Sequence, residues 1–552
     1  MSALLGALVP LGPLLAGLLL WRWPDRVGPW LWISCLPALL ASLWPASPLQ
    51  LEFLWPGASW GANDLLARAW LAFSALLWGC ASLYACTDQV DDRHRFRFWC
   101  CWLLSLCGNL LLIIAQDAGS FYVGFSLMSL AAYGLIVHER GPAPRQAGRL
   151  YLQLAILGEM LIFAGMMLRI HEANGAFALA AWQDVPLGWP TAALLLVGFG
   201  LKAGFWPLHV WLPLAHPAAP AAASAVLSGA MIKAGILGLW RFLPEQDPLL
   251  QQWAIPLLAI AAISAFYGVL LGLLQSKAKT VLAYSSISQV GYLLAVVALA
   301  WLHPELRVAL ATLLALFGVH HGLAKGALFM GAGLAAHSRL SAWHWILMAL
   351  PAMALAGLPL TSGAAVKVLL KDSLYASDVS QWLMLLSAGS AATAVLLLRA
   401  LWLMWRNQPK HANKSVPLTQ MAPWTLLCAM PLVLPWVWPE LRDALLASLP
   451  PKTLWAALWP LLIALLAGWA VHASGWRIPA RLQHLPNPAR AGSLRLKRML
   501  RPRALAAQPK IKQQRWRELE RRWNQLWRGG AVATSAWIIL LALLLGWLGW
   551  LG

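Results

Sequence analysis

Apolar runs of roughly 18 to 25 residues recur along the chain, each long enough to cross a hydrocarbon core about 30 Å thick as a helix. Sixteen runs are bounded approximately at 3–20, 29–45, 64–86, 97–115, 119–137, 149–169, 189–214, 220–241, 252–274, 280–300, 306–335, 343–371, 381–405, 420–438, 454–473 and 531–551. The seventh and twelfth are interrupted by proline or glycine. Composition agrees with membrane: 60% of the 552 residues are apolar and 11% charged, whereas about a quarter of a soluble domain is charged. The pattern predicts an all-α polytopic membrane protein. The first run is expected to be a retained helix, because no basic region follows Met1 and WRWPDR offers no small-residue cleavage site.

Basic residues mark one face, since short cytoplasmic loops hold an excess of Lys and Arg. They fall in the odd-numbered loops: Arg22 and Arg26; Arg93, Arg95 and Arg97; Arg140, Arg145 and Arg149; Lys277 and Lys279; Arg406, Lys410 and Lys414. Both termini are therefore expected on the non-cytoplasmic side. Much of the formal charge of +21 lies in 477–528, where fifteen Lys or Arg stand against two Glu. This segment is expected to touch anionic lipid headgroups rather than nucleic acid. Within it Ile511, Trp516, Leu519, Trp523 and Leu526 share a helical face, the pattern of an interfacial amphipathic helix. The seven cysteines form no CxxC pair and the chain has no phosphate loop or HExxH motif. No disulfide framework, metal site, cofactor or redox centre of its own is expected.

A charge at the centre of a spanning helix costs roughly 2.5–3.5 kcal/mol on insertion scales, so a retained one points to an ion path. Glu159 lies near the middle of YLQLAILGEMLIFAGMMLRI. Lys202 precedes Pro207 by five residues in KAGFWP, so its helix is expected to open just beyond it, in a hydrated cavity. Lys233 sits among small residues in SGAMIKAG. His320, His321 and Lys325 share FGVHHGLAKGALFMG, with His321 and Lys325 four apart on one face. Lys367 follows the interruption by Pro359 and Gly363, while Lys371 and Asp372 lie nearer the end of that run. Two broken spans five apart are the signature of inverted repeats with a mid-membrane site. The expected units are 1–96, N-terminal helices; 97–242 and 252–405, the two repeats; 420–473, peripheral helices; 475–530, the basic amphipathic segment; and 531–551, a last helix.

The segment KAGFWPLHVWLPLAHPAAPAAASAVLSGAMIKAGILGLWRF resembles the signature of the antiporter-like subunits of respiratory complex I, group 4 membrane-bound hydrogenases and Mrp-type cation/proton antiporters. KTVLAYSSISQVGY, HGLAKGALFMGAG and LAGLPLTSGAAVK, in that order, agree with it, and the likeness covers about 100–405. The resemblance implies about fourteen core helices, two inverted five-helix repeats, and ion movement along a central hydrophilic axis. In some members a lateral helix follows on the cytosolic side. Carried over by motif, Lys202, Lys233, His321, Lys325 and Lys367 would form that axis, and His216 matches the histidine of the WLPxAH stretch.

This chain departs from the pattern where most relatives place a fifth-span glutamate beside the first broken helix. Here FYVGFSLMSLAAY puts Ser126 at that position, so Glu159 is expected to pair with Lys202 instead. Leu214 and Lys277 also stand where aspartates are usual. The favoured reading is a subunit of a multisubunit complex that moves protons, with sodium as the alternative ion, driven by partner membrane subunits or a soluble partner in a bacterial-type inner membrane. Two other readings stay open. One is the membrane half of a two-component inorganic-carbon pump with a soluble zinc protein; the other is a non-conducting structural subunit of a redox complex.

Overall fold

The computed structural model of the chain describes residues 2–44, 47–377, 379, 382–409 and 416–474. The basic segment 477–528 and the apolar run 531–551 lie outside them. Helices follow one another along the described chain: α1 (Ser2–Arg22), α2 (Leu36–Leu43), α3 (Leu65–Asp88), α4 (Arg95–Ile114), α5 (Ala118–Ile136), α6 (Pro142–Glu172), α7 (Trp189–Ala203) and α8 (Leu212–Ala218). Next come α9 (Ala221–Val226), α10 (Lys233–Phe242), α11 (Pro248–Leu273), α12 (Ala278–Leu302), α13 (Arg307–His337), α14 (Ala342–Ala356) and α15 (Ser362–Ala376). The last are α16 (Trp382–Asn407), α17 (Leu418–Val437), α18 (Pro439–Ala447) and α19 (Pro451–Ala473). Among the described residues twelve helices are long and apolar enough to cross a membrane. Three shorter apolar helical stretches, Gly28–Leu43, Trp189–Ala203 and Ala342–Ala356, account for the second, seventh and twelfth runs. The protein is an all-α, multi-pass membrane protein.

Burial sorts the helices into layers. The segment Ala221–Phe242 is wholly enclosed and α12 nearly so, whereas α1 and α19 keep most of their apolar surface outward. A helix that is apolar all round is stable at the centre of such a bundle, and there its polar residues meet protein rather than lipid. Start signals are conventional: Asp64, Asp117 and Asp247 accept the backbone N–H of Ala67, Ser120 and Leu249 at 2.7, 2.7 and 2.8 Å, satisfying donors a helix leaves unpaired. Asp117 also accepts Trp55 Nε1 at 2.8 Å and Ser59 N at 3.0 Å. It thereby ties down the second loop, where Leu49–Gln50 pairs antiparallel with Ser59–Trp60, a hairpin too short to show in the apolar pattern.

Both interrupted spans break, by the same device. Helix α7 ends at Ala203 on Gly204, whose φ of +73° terminates the helix in the left-handed region. The chain then runs irregularly to α8, and Trp211 Nε1 donates to the carbonyl of Leu201 at 2.7 Å, satisfying an oxygen the break releases. The second break lies at 357–361, with Gly357 at φ +94° and Leu360 at +62°. Gly363 does not itself interrupt the span. It lies inside α15, and a Cβ there would fall 1.7 Å from the Ala354 carbonyl oxygen, so only glycine fits. Gly363→Ala is expected to force the two half-helices apart and destabilise the protein by roughly 1–3 kcal/mol or more, read as a lower unfolding midpoint in detergent; an unchanged midpoint would contradict this packing. The eighth span holds a feature absent from the sequence reading, a π-helical stretch at Leu227–Met231 between α9 and α10.

Candidate functional site

Every interior lysine sits where helix geometry is irregular or where a hydroxyl faces it. Lys202, in the last turn of α7, is buried, and its Nζ donates to Ser129 Oγ of α5 at 2.7 Å and to Tyr151 OH of α6 at 3.3 Å. The ammonium also lies 5.7 Å from the ring centroids of Phe125 and Tyr151, within cation–π range. Glu159 is buried on α6 with Oε1 unpartnered, Ser126 Oγ on α5 is unpartnered as well, and the carboxylate interacts electrostatically with Lys202. Close packing of α6 on α7 brings them together: a Cβ on Gly198 would stand 3.0 Å from the Gly158 carbonyl oxygen. A small cavity lined by Phe125, Ser129, Tyr151, Gly198, Lys202 and Trp211 adjoins the lysine.

Deeper in the bundle, Lys233 donates to the Gly229 carbonyl of the π-helical stretch and lies 5.6 Å from the Phe73 ring centroid. Lys325 is fully buried and donates to Leu282 O at 2.8 Å and to Ser285 Oγ of α12. His321 is fully buried beside them with neither ring nitrogen hydrogen-bonded. Lys233, His320 and Lys325 all interact with it electrostatically. His320 Nδ1 meets Ser362 Oγ of α15 at 2.8 Å and interacts with Lys233 and Lys367. Lys367 donates to Ala356 O, a carbonyl released by the second break, and to Ser390 Oγ of α16 at 2.6 Å. His216, on α8, is fully buried with both nitrogens unpartnered, and its ring stacks on Phe329 at 4.7 Å.

The residues singled out in the sequence thus fall into two groups. Glu159 and Lys202 form one; Lys233, His320, His321, Lys325, Lys367 and His216 form the other. Sequence reasoning missed the hydroxyls Ser129, Ser285 and Ser390 that hold the lysines, Ser362 beside His320, and His209, which is buried edge-on to Tyr267 at 4.8 Å with Nδ1 unpartnered. Their signal was present as polar residues inside apolar spans, in SLMSLAAY, PLHVWL, AYSSIS, LTSGAAVK and LLSAGSAATA. Serine is common enough in membrane helices for that signal to pass as packing.

The model of the transmembrane family described as NADH:quinone oxidoreductase/Mrp antiporter matches residues 115–396, which contain all of these groups. The chain belongs to this family. The antiporter-family chain is 36% identical to hydrogenase-4 component B of Escherichia coli over 285 residues, 49% of this chain and 42% of that protein. It is 31% identical to NADH-quinone oxidoreductase subunit N of Cereibacter sphaeroides over 327 residues, 57% of this chain and 71% of that protein. The chain spans less than half the length of the first curated relatives it matches. In fold it resembles a chain of the Mrp complex from Dietzia sp., with a TM-score of 0.66 at 20% identity, covering 83% of this chain and 99% of that one. A chain of an archaeal membrane-bound sulfane sulfur reductase gives 0.68 at 19% identity, with the same coverage.

Proposed function

We propose that this chain is a proton-translocating, antiporter-like subunit of a multisubunit membrane complex. The observation that carries the reading is the electrostatic interaction of two buried groups on adjacent helices, Glu159 of α6 and Lys202 of α7, with the lysine held by Ser129. The carboxylate usual on the fifth helix is missing, yet the lysine of the first broken helix keeps an acidic neighbour from the sixth. This disfavours a degenerate, non-conducting path. Like charges repel strongly in a low-dielectric interior, so a proton on one lysine raises the free energy of a proton on the next. Glu159 close to Lys202 stabilises its charge; separation of the pair releases the proton toward Lys233, and His321, Lys325, His320 and Lys367 pass it on. A second observation supports this: two buried histidines, His216 and His321, have four unpartnered ring nitrogens between them. Buried polar atoms normally find partners, and transient water or a moving proton would satisfy these.

The residues 97–242 and 252–405 are proposed as the two inverted units, each holding one broken helix. The chain would sit in a bacterial-type inner membrane with both termini on the non-cytoplasmic side, against other membrane subunits, and with 477–528 against anionic headgroups. Sodium is the alternative ion. In liposomes holding the purified complex and an internal pH dye, Lys202→Ala is expected to slow proton flux about tenfold or more, with the subunits still co-purifying. Unchanged flux with intact assembly would mean that this chain does not conduct. A lone soluble zinc protein co-purifying in mild detergent would instead favour the carbon-pump reading.

A further inference from the structure

On α13 the residues Lys325, Phe329, Gly333 and His337 recur every four positions and so line one helix face. That stripe leads from a fully buried ammonium to an exposed imidazole. At its outer end His337 Nδ1 meets Gly333 O at 3.0 Å. Asp88, exposed at the end of α3, accepts Gln420 Nε2 of α17 at 2.6 Å and interacts electrostatically with His337 and Lys279. Lys279, half-buried, donates to Ala219 O at 2.9 Å, the carbonyl just beyond α8, the half-helix that carries His216. Halfway along the stripe the His216 ring stacks on Phe329, and His216 interacts electrostatically with both Lys325 and Lys279. Titratable groups therefore step inward from exposed, through half-buried, to fully buried. The ends of α3, α8 and α13 and the starts of α12 and α17 also lie on one side of the membrane by chain parity, the side of the basic loops.

We propose that this stripe is an access route for protons from that side to Lys325, with Asp88 and His337 at its mouth and the His216–Phe329 stack as its gate. The proposal rests on the reading of Lys325 as a station of the relay. Proton chemistry fits the mouth because a carboxylate and an imidazole can each take up and hand on a proton, whereas a sodium ion would next have to pass the Lys279 ammonium. The two unpartnered His216 nitrogens let one take a proton from the outer side while the other releases one inward, and no electrons move. Phe329 blocks continuous water between the two sides, so passage requires the rings to part.

Two measurements on the intact complex in liposomes test this. Ser224, fully buried, donates to His216 O at 2.8 Å and so reports on the gate. With Ser224→Cys, the rate of modification by 2-aminoethyl methanethiosulfonate, followed by peptide mass, is expected to rise about tenfold when Phe329→Ala is added, because burial is what protects the thiol. Asp88→Asn, at an exposed site that does not threaten the core, is expected to slow proton flux about fivefold, while the exposed control Glu440→Gln leaves it unchanged. Labelling that does not respond to Phe329→Ala, or flux that does not respond to Asp88→Asn, would overturn the route. A flux that survives Lys325→Met would overturn the relay reading instead, and the labelling result would still report on the gate.

Discussion

Exchanging Lys325 for methionine is expected to reduce proton flux by about a hundredfold or more, the scale of losing a positioned proton donor, without preventing assembly. Lys325 is the node of the inner group: His216, His321 and Lys233 all interact with it electrostatically. Methionine fills nearly the same volume and adapts to its surroundings. The Ser285 hydroxyl keeps its own bond to Leu282 O at 2.9 Å after the ammonium is gone, so no buried group loses its only partner. The folding cost should stay near the ~1 kcal/mol of a single hydrogen bond. Flux by pH-dye fluorescence and subunit stoichiometry on a gel, measured on the same preparation, separate the two effects. Loss of both together would make Lys325 a structural cation.

Glu159→Gln is expected to lower flux about tenfold or more while leaving the helix pair packed. The glutamine keeps the shape, but it cannot carry the negative charge that acts on Lys202. Without that charge, holding an ammonium in this apolar setting becomes unfavourable, since burial disfavours the charged form of a lysine. Glu139→Gln serves as the comparison. Glu139 lies outside the spanning helices, beyond the end of α5, and interacts electrostatically with Lys279, whereas Glu159 and Lys202 interact with each other. Equal losses in both variants would remove the case for Glu159.

The membrane class and the fifteen apolar runs before residue 475 were legible because apolar runs of spanning length have few other ways to fold. The breaks were legible for a related reason: KAGFWP and LAGLPLTSG carry residues that cannot continue a helix. The cations were legible because charge inside a span is rare and costly. The exact site of the second break was not, since Gly363 is needed for a close backbone approach and a string of letters does not distinguish that from an interruption. Nor was the π-helical stretch at 227–231, where AAASAVLSGAMIKAG reads as unbroken helix and only the Lys233–Gly229 contact marks the opening. Hydroxyl partners were hidden for the same reason: Ser129 and Ser285 acquire meaning only when a lysine from another helix arrives beside them. The cluster of exposed Asp88 and His337 with buried Gln420 joins three helices far apart in sequence, and no local pattern encodes it.

The central claim is that Glu159 supplies the charge that the fifth helix lacks, and a rescue in the place of that missing charge tests it most directly. Proton flux would be compared in liposomes for the unaltered complex, Glu159→Gln, and Glu159→Gln combined with Ser126→Glu. Ser126 belongs to the same polar group around Glu159, so a carboxylate there can again face Lys202. The account predicts that the double variant recovers most of the flux lost in the single one. A double variant as slow as Glu159→Gln, with the complex intact, would contradict it.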